Sequence, residues 1–425
     1  MAGHIQDRWY KTETGIDGKT TRIKSDRHGT GMRYRARYVT PSGTEKSRSF
    51  PDKQKRLAEV WLTQIAADMS RGQYVDPSAG KVTFEAYATA WLASQTTDVS
   101  TIDAIDQRFR LHIFPHIGSR SMSAFLPAHI RAWGRVLQDA GLAPSYQRVI
   151  FANVSAVFGA AVDDGVIPRN PCRANSVRPP RADARKLKPW PQERVFAVRE
   201  ALPAPYRKVV DIGAGCGLRQ GEILGLAVDE VDFLAGVVHV VRQVKLVKAQ
   251  LVFAPPKGGK LRDVPLPDSV AFAVAEHITQ RPPLTVTLPW KAPDGPPVTA
   301  SLLFYSRERK PVNRNYFNMR VWKPALVAAG VIPARKPGQR FAESREHGMH
   351  ALRHFYASVL LDAGENVKAL SEYLGHGDPG FTLRTYTHLM PNSQARARRA
   401  VDSVFREGGD TDDGPQTAQE EGKAS

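Results

Sequence analysis

The stretch from Arg173 to Pro191, RANSVRPPRADARKLKPWP, constrains this chain most. Its prolines remove backbone donors and it shows no apolar period, so neither a helix nor a central strand is expected to run through it. A core formed before this segment is therefore separate from one formed after it. At 425 residues the chain also exceeds the usual reach of one hydrophobic core. The segment reads as a basic linker that can lie along a polyanion.

Two patterns precede the linker. From Lys19 to Arg56 there are 12 basic and three acidic residues, and Met32 to Val39 alternates basic with aromatic or apolar side chains. That is a strand period, and Pro41-Ser42-Gly43 supplies a turn before Thr44 to Phe50. A helix starting near Asp52, with Leu57, Val60, Trp61 and Ile65 on one face, is expected to cover the sheet. This unit spans residues 5–72. Arg33, Arg35 and Arg37 share a strand face and suit a DNA groove as well as they suit solvent. After a Gly and Pro punctuated linker, residues 82–177 carry helical stripes broken at Gly118, Pro127, Gly141 to Pro144 and Gly165. Arg131, Arg135 and Arg148 on these helices are candidate phosphate contacts, though such arginines are more often simply solvated.

Beyond the linker, residues 188–407 mix helices with a strand-rich section between Val231 and Leu266. Arg281 to Thr299 holds six prolines and is expected to be an irregular loop. Residues 408–425 are polar, with five acids against one lysine, and are expected to be disordered. The resulting fold class is multidomain and mainly α with α+β: a small N-terminal β-sheet plus helix, a helical unit, and a mixed α/β unit.

Charge and composition narrow the partners. A formal charge of +18 favours a polyanion such as nucleic acid. Two cysteines, Cys172 and Cys216, are too few for a disulfide framework or a cysteine zinc site and point to a reducing compartment. No run of 18 apolar residues and no secretory pattern is present, so a cytoplasmic, nucleoid-associated protein with no membrane partner is expected. His350 and His354 have zinc spacing, but no neighbouring carboxylate or cysteine completes a set, and no metal is expected. Gly213 to Gly217 lacks the Lys-Ser or Lys-Thr of a phosphate loop, so neither ATP nor any other cofactor is expected.

The chemistry lies in five fragments, in order: GLRQGE at 217–222, PKG at 256–258, HALRH at 350–354, LGH at 374–376 and YTH at 386–388. Arg219 and Glu222 are three apart, as are His350 and Arg353, so within a helix each pair shares a face. Metal-free phosphodiester cleavage needs a nucleophile, cations for the charge developing on phosphate oxygens, and a proton donor for the leaving oxygen. Two arginines fork onto those oxygens, histidines move protons near neutrality, and a lysine on a β-hairpin can protonate the leaving 5′ oxygen. Each fragment alone has a commoner reading: a surface ion pair for Arg219 and Glu222, a turn for His376, a solvated loop for Lys257, and packing for a tyrosine, as expected of Tyr356 and Tyr373. Their joint order favours chemistry.

The order Arg, Lys, His-x-x-Arg, His, Tyr resembles the tyrosine recombinase family of phage and mobile-element integrases. GLRQGEIL resembles its first arginine box, and HALRHFYAS with YLGHGDPGFTLRTYTHL its second. The resemblance implies a catalytic set of Arg219, Lys257, His350, Arg353, His376 and Tyr386, with Tyr386 as nucleophile, Lys257 (or Lys260, three residues on) as general acid, and Glu222 supporting Arg219. It further implies an arm-type DNA-binding unit at 5–72, a core-binding (SAM-like) unit at 82–177 and a catalytic unit at 188–407. A homotetramer on double-stranded attachment sites follows, with an excisionase or DNA-bending factor as accessory. The amphipathic segment Ala395 to Phe405 would dock on a neighbouring protomer. The implied function is site-specific integration and excision through a 3′-phosphotyrosine. A type IB-like topoisomerase and a catalytically silent DNA-binding regulator are the alternatives.

Overall fold

The computed structural model describes residues 3–14, 20–41, 43–71, 74, 76, 79–181, 188–339, 341, 345–386, 398, 401 and 402. The expected tail at 408–425, most of the segment at 395–405, and His388 lie outside the described residues. The chain divides into two compact units, Met1–Ala184 and Arg185–Ser425. The elements are those of the expected fold class: a small N-terminal sheet, many helices and a mixed α/β region.

In the first unit, β1 (His4–Asp7), β2 (Tyr10–Thr14), β3 (Thr20–Lys24), β4 (Tyr34–Val39) and β5 (Glu45–Phe50) form a sheet ordered β1-β4-β5 and a β2-β3 hairpin, all antiparallel. Alternation in β4 buries Tyr34, Ala36 and Tyr38 and turns Arg35 and Arg37 to the other face. Helix α1 (Lys55–Ser70) covers the buried face, but with Ala58, Trp61 and Leu62. The sequence expectation of Leu57 and Val60 on that face is corrected: both are exposed, because the small Ala58 makes the close approach to the sheet and turns Trp61 and Leu62 onto it.

Arg33 stands just before β4 and is held by Asp7 (Nη2 to Oδ2, 3.0 Å) and Asp52 (Nη1 to Oδ1, 2.9 Å), over the rings of Tyr10 and Tyr34. These carboxylates push its pKa up and are themselves held low, Asp7 against its burial and Asp52 chiefly by the Arg33 hydrogen bond. Arg33 thus braces the sheet. Arg35 donates to Ser47 Oγ (3.0 Å), and Arg37 to Glu45 (3.0 Å) and Gln6 (3.1 Å), along the open face.

The helical part of this unit comprises α2 (Phe84–Ala93), α3 (Val99–Arg108), α4 (Pro127–Asp139) and α5 (Pro144–Asp163). Thr83 and Asp98 cap α2 and α3 by accepting from Ala86 N and Ser100 N. Beyond α3 the chain continues as a wider π-helical segment, Phe109–Gly118, where Pro115 supplies no amide hydrogen for the ordinary ladder. The core is aromatic: Phe84, Phe125 and Phe158 meet with centroids 4.9 to 5.9 Å apart. Arg131 and Arg135 lie on the exposed face of α4, bonded to Ser176 and Asp139, while Arg148 lines an open groove along α5 with Phe151, Ser155 and Arg173.

The second unit contains α6 (Gln192–Ala201), α7 (Lys208–Gly215), α8 (Gln220–Leu224), β6 (Val231–Asp232), β7 (Val237–Val240), β8 (Gln243–Val247), β9 (Gln250–Ala254), β10 (Arg262–Pro265) and α9 (Asp268–Gln280). Next come β11 (Leu284–Pro289), β12 (Pro297–Leu302), α10 (Arg314–Phe317), α11 (Lys323–Ala328), α12 (His350–Ala363), α13 (Val367–Tyr373) and α14 (Pro379–Tyr386). The strands pair as β10-β7-β6, β8-β9 and β11-β12. The expected irregular loop at Arg281 to Thr299 is a correction: β11 and β12 form a full antiparallel hairpin, with Pro289 opposite Pro297 at its last paired position, where prolines are tolerated. The branched residues Val286 and Val298 and the apolar Leu288 pack on a small core of Ala227, Val244, Phe253 and Leu302.

Tryptophan packing sets the start of α12. Trp190 and Trp322 stack nearly parallel (3°, 6.2 Å), and their indole N–H groups donate to the carbonyls of Glu346 (3.2 Å) and His347 (2.8 Å). Among the described residues no helix is long and apolar enough to cross a membrane.

Truncating Phe158→Ala removes a fully buried ring from the three-ring cluster and should destabilise the helical part by about 3–5 kcal/mol. Urea unfolding followed by circular dichroism checks this, and a loss below about 1 kcal/mol would contradict that packing.

Candidate active site

Arg219 is not inside a helix, as its spacing to Glu222 suggested; it is the residue before α8, with extended backbone. Glu222 reaches back from the first turn, accepting from Arg219 N (2.8 Å) and from its Nη1 (2.9 Å). The cap runs one way: the Glu222 carboxylate satisfies the Arg219 amide at the head of the helix and grips the guanidinium of the same residue. Gly217 makes this possible: its φ of +63° suits glycine, and a Cβ there would stand 2.3 Å from the Tyr356 ring.

Glu222 is 1% exposed and serves a second guanidinium that sequence reasoning missed. Arg262, from β10, donates through Nη2 (2.7 Å) and Nη1 (3.1 Å) to its two oxygens, and through Nε to Tyr373 O (2.7 Å). The only sequence signal was a basic residue in strand context beside the candidate lysines. Burial raises the Glu222 carboxyl, but Arg262, followed by Arg219, more than reverses this and holds it below the ordinary range.

Arg353, on α12, is 1% exposed. Its Nη1 donates to Gly217 O (2.7 Å) and its Nη2 to Leu374 O. Among the described residues Nε has no partner and no carboxylate pairs with the group. Burial, then the charge of Arg219, pushes its pKa down to about 9, so it stays cationic at neutral pH. Arg219 Nη2 approaches Gly375 O (3.3 Å) in the turn after α13. The loops at 217–219 and 374–376 are thereby tied together by both arginines.

The lysines are not at a β-hairpin tip. β9 pairs with β8 and β10 with β7, so Lys257 lies in a tight turn, Lys257–Gly259, on the connection between unpaired strands. Lys257 is close enough to act electrostatically on His350. Lys260 donates to His376 O (3.3 Å).

Three histidines share this region. Burial, and then the positive charge of Arg353 for His350 and His376 or of His350 for His354, pushes their pKa values down: His350 to about 4, His354 to about 3 and His376 to about 3. They are neutral at pH 7. His376 Nδ1 pairs with the buried Thr382 Oγ1 (2.7 Å), and the His350 and His354 rings meet edge to face at 4.5 Å. Tyr386, at the end of α14, is 2% exposed, and its hydroxyl lies 2.8 Å from His354 Nδ1. Burial raises its pKa to about 12, opposed by Arg353 and Arg219. His354, which the sequence reading left without a role, therefore touches the candidate nucleophile; its place beside Arg353, four residues after His350, was the available signal. Tyr356 is buried in the core and Tyr373 packs on it, as expected. Among the described residues no group of three His, Cys, Asp or Glu is placed to hold a metal ion.

The arrangement holds two guanidiniums on one carboxylate and a third, Arg353, on main-chain carbonyls nearby, with a buried phenol and neutral imidazoles beside them. Positively charged donors held in place beside a buried phenol and neutral imidazoles suit a phosphate.

A family model described as the phage integrase family matches residues 192–393. The chain is 29% identical over 264 residues to a XerC-like tyrosine recombinase of Caldanaerobacter subterraneus subsp. tengcongensis, an alignment covering 58% of this chain and 63% of that protein. It is 25% identical over 393 residues to the integrase of Mycobacterium phage D29, covering 89% of this chain and 95% of that one. Among solved structures, the Tn1549 transposon integrase in complex with a circular intermediate DNA is similar at a TM-score of 0.61 and 19% identity, over 76% of this chain and 99% of that one. At that identity the likeness is one of fold.

Two outcomes follow from the electrostatics. Glu222→Gln leaves Arg219 and Arg262 on a neutral amide and should lower stability by about 3–5 kcal/mol at pH 7, measured by urea unfolding. Stability should also fall below pH 6.5: there the unfolded chain protonates histidines that the folded site keeps neutral, so their contribution is full above 6.5 and is lost as pH falls through about 4 for His350 and about 3 for His354. His350 and His354 together set a slope of up to about 3 kcal/mol per pH unit, and His354→Asn should make the measured slope shallower.

Proposed function

We propose that the chain, which matches the phage integrase family over residues 192–393, is a site-specific tyrosine recombinase that cuts and rejoins duplex DNA through a 3′-phosphotyrosine at Tyr386, integrating and excising a mobile element. The observation that carries this reading is Arg353: a buried guanidinium held by main-chain carbonyls, with Nε unpartnered among the described residues, in electrostatic contact with Arg219 and Tyr386. A phosphodiester is the anion that such a group fits.

In this mechanism Arg219 and Arg353 hold the non-bridging oxygens, and Glu222 with Arg262 fixes the first of them. Tyr386 attacks phosphorus, Lys257 protonates the leaving 5′ oxygen, and His350 and His376 complete the donor set around the phosphate. The phosphotyrosine retains the bond energy, so a 5′-hydroxyl from the partner duplex reseals the strand with no cofactor. Exchanging two duplexes breaks four strands, each by one tyrosine, which calls for a homotetramer on its attachment sites.

The domain roles follow the same reading. Residues 5–72 bind accessory sites through Arg35 and Arg37, with Arg33 serving the sheet itself. Residues 82–177 grip the core site with Arg131, Arg135 and Arg148, and residues 188–407 carry the chemistry. An excisionase or bending factor sets direction.

Wild-type, Tyr386→Phe and Arg353→Ala proteins incubated with labelled, nicked DNA from the region flanking the gene, then resolved on a denaturing gel, test the reading. Wild type should give a protease-sensitive protein–DNA adduct, Tyr386→Phe none, and Arg353→Ala the adduct at a rate roughly 10²–10³-fold lower. DNA bound by wild type without any adduct would overturn the mechanism.

A further inference from the structure

We propose that His354 is the proton acceptor for the nucleophile, taking the Tyr386 phenolic proton at Nδ1 as the oxygen bonds to phosphorus. The proposal rests on Tyr386 being the nucleophile, as read above. His354 Nδ1 lies 2.8 Å from the Tyr386 hydroxyl, within the distance over which a positioned base takes a proton. The imidazole is tilted 60° from the phenol ring, at 5.7 Å between centroids, so the contact is a directed hydrogen bond rather than a stack.

The other nearby groups do not fit the task. Arg219 and Arg353 are cations with donors only. His376 Nδ1 is engaged with Thr382. His350 meets the His354 ring edge to face. Among the described residues, His354 supplies the hydrogen bond that the Tyr386 hydroxyl makes. An imidazole nitrogen that accepts from a phenol carries no proton, so the neutral ring bears its hydrogen on Nε2.

The surroundings fix when the transfer happens. The charged and titratable groups around His354 are His350 and Arg353 on α12 and His376 after α13, and Tyr386 on α14 also senses Arg219. Burial and then these neighbours keep His354 unprotonated, which preserves it as a base but too weak a base to ionise the phenol beforehand. The transfer therefore accompanies attack. A phosphodiester against Arg353 offsets the positive charge that opposes an imidazolium, and the phenol proton becomes acidic as its oxygen bonds to phosphorus. The Oη–P bond forms, the P–O5′ bond breaks, the phenol proton moves to Nδ1, and the leaving oxygen takes a proton from Lys257. On rejoining, the attacking 5′-hydroxyl yields its proton to the lysine, and the imidazolium returns its own to the departing tyrosine oxygen.

The test uses the nicked DNA above in two forms, with an ordinary phosphodiester and with a 5′-bridging sulfur at the cleavage position mapped with wild type. A thiolate leaving group needs no acid, but the nucleophile still needs a base. His354→Asn should bind DNA as wild type does yet form adduct about 10²–10⁴-fold more slowly on both substrates, whereas Lys257→Ala should recover on the sulfur substrate. Between about pH 6 and 9 the variant's rate should rise in proportion to hydroxide while the wild-type rate levels off. His354→Gln is the second variant if the first does not fold, with DNA binding reporting the fold.

Cleavage by His354→Asn within about threefold of wild type overturns the proposal, as does a slowed rate with an unchanged pH profile, which would mark a packing role. Rescue of the variant by sulfur overturns it too. An adduct from Tyr386→Phe instead removes the nucleophile reading, and this proposal falls with it.

Discussion

A guanidinium taken almost wholly out of water, with no carboxylate paired to it among the described residues, is expensive to bury, and the second unit is organised around that expense. Arg353 is tolerated because two main-chain carbonyls from distant loops converge on it. Those loops must be held, and each has its device. Gly217 adopts a backbone open to glycine so that the chain can turn against Tyr356, and Gly375 (φ +59°) ends the turn after α13. Glu222 then locks Arg219 and Arg262 in the adjoining space. The stacked pair Trp190 and Trp322 fixes the segment that feeds α12, and so the position of Arg353 itself.

Against this cationic background, the histidines divide the electrostatic work. Arginines carry permanent charge, and the imidazoles beside them are driven to neutrality by burial and repulsion. Neutral imidazoles can both accept and donate, whereas the guanidiniums only donate. A site made of arginines alone would hold an anion without moving a proton; one made of charged histidines would compete with the arginines for the same carboxylate.

The candidate residues could be picked out of the sequence because their chemistry is read from residue type and order. Arg219, His350, Arg353, His376 and Tyr386 stand in fragments whose joint order is hard to produce by chance, and the structure draws them into one region. Arg262 and His354 were not legible in the same way. Their parts depend on which loop lies opposite which strand, and nothing local in LRDVP or in the residue after Arg353 encodes that. The proline count in 281–299 misled for a related reason: prolines weaken strands only where the missing amide was needed, and there the strands pair to their ends. In α1 the apolar stripe was wide enough to be read two ways, and the small Ala58 decided which face could approach the sheet.

Arg353 is fastened by carbonyl oxygens rather than by side chains, and this bears on how such a sequence can drift. Any residue at position 374 presents the same carbonyl, so replacing its side chain does not delete the contact, in contrast to an ion pair that one substitution abolishes. The fastening is indifferent to most of the letters around it and strict about very few, Gly217 among them. A guanidinium fastened this way can persist while the surrounding sequence turns over almost completely, leaving little for a residue-by-residue comparison to see.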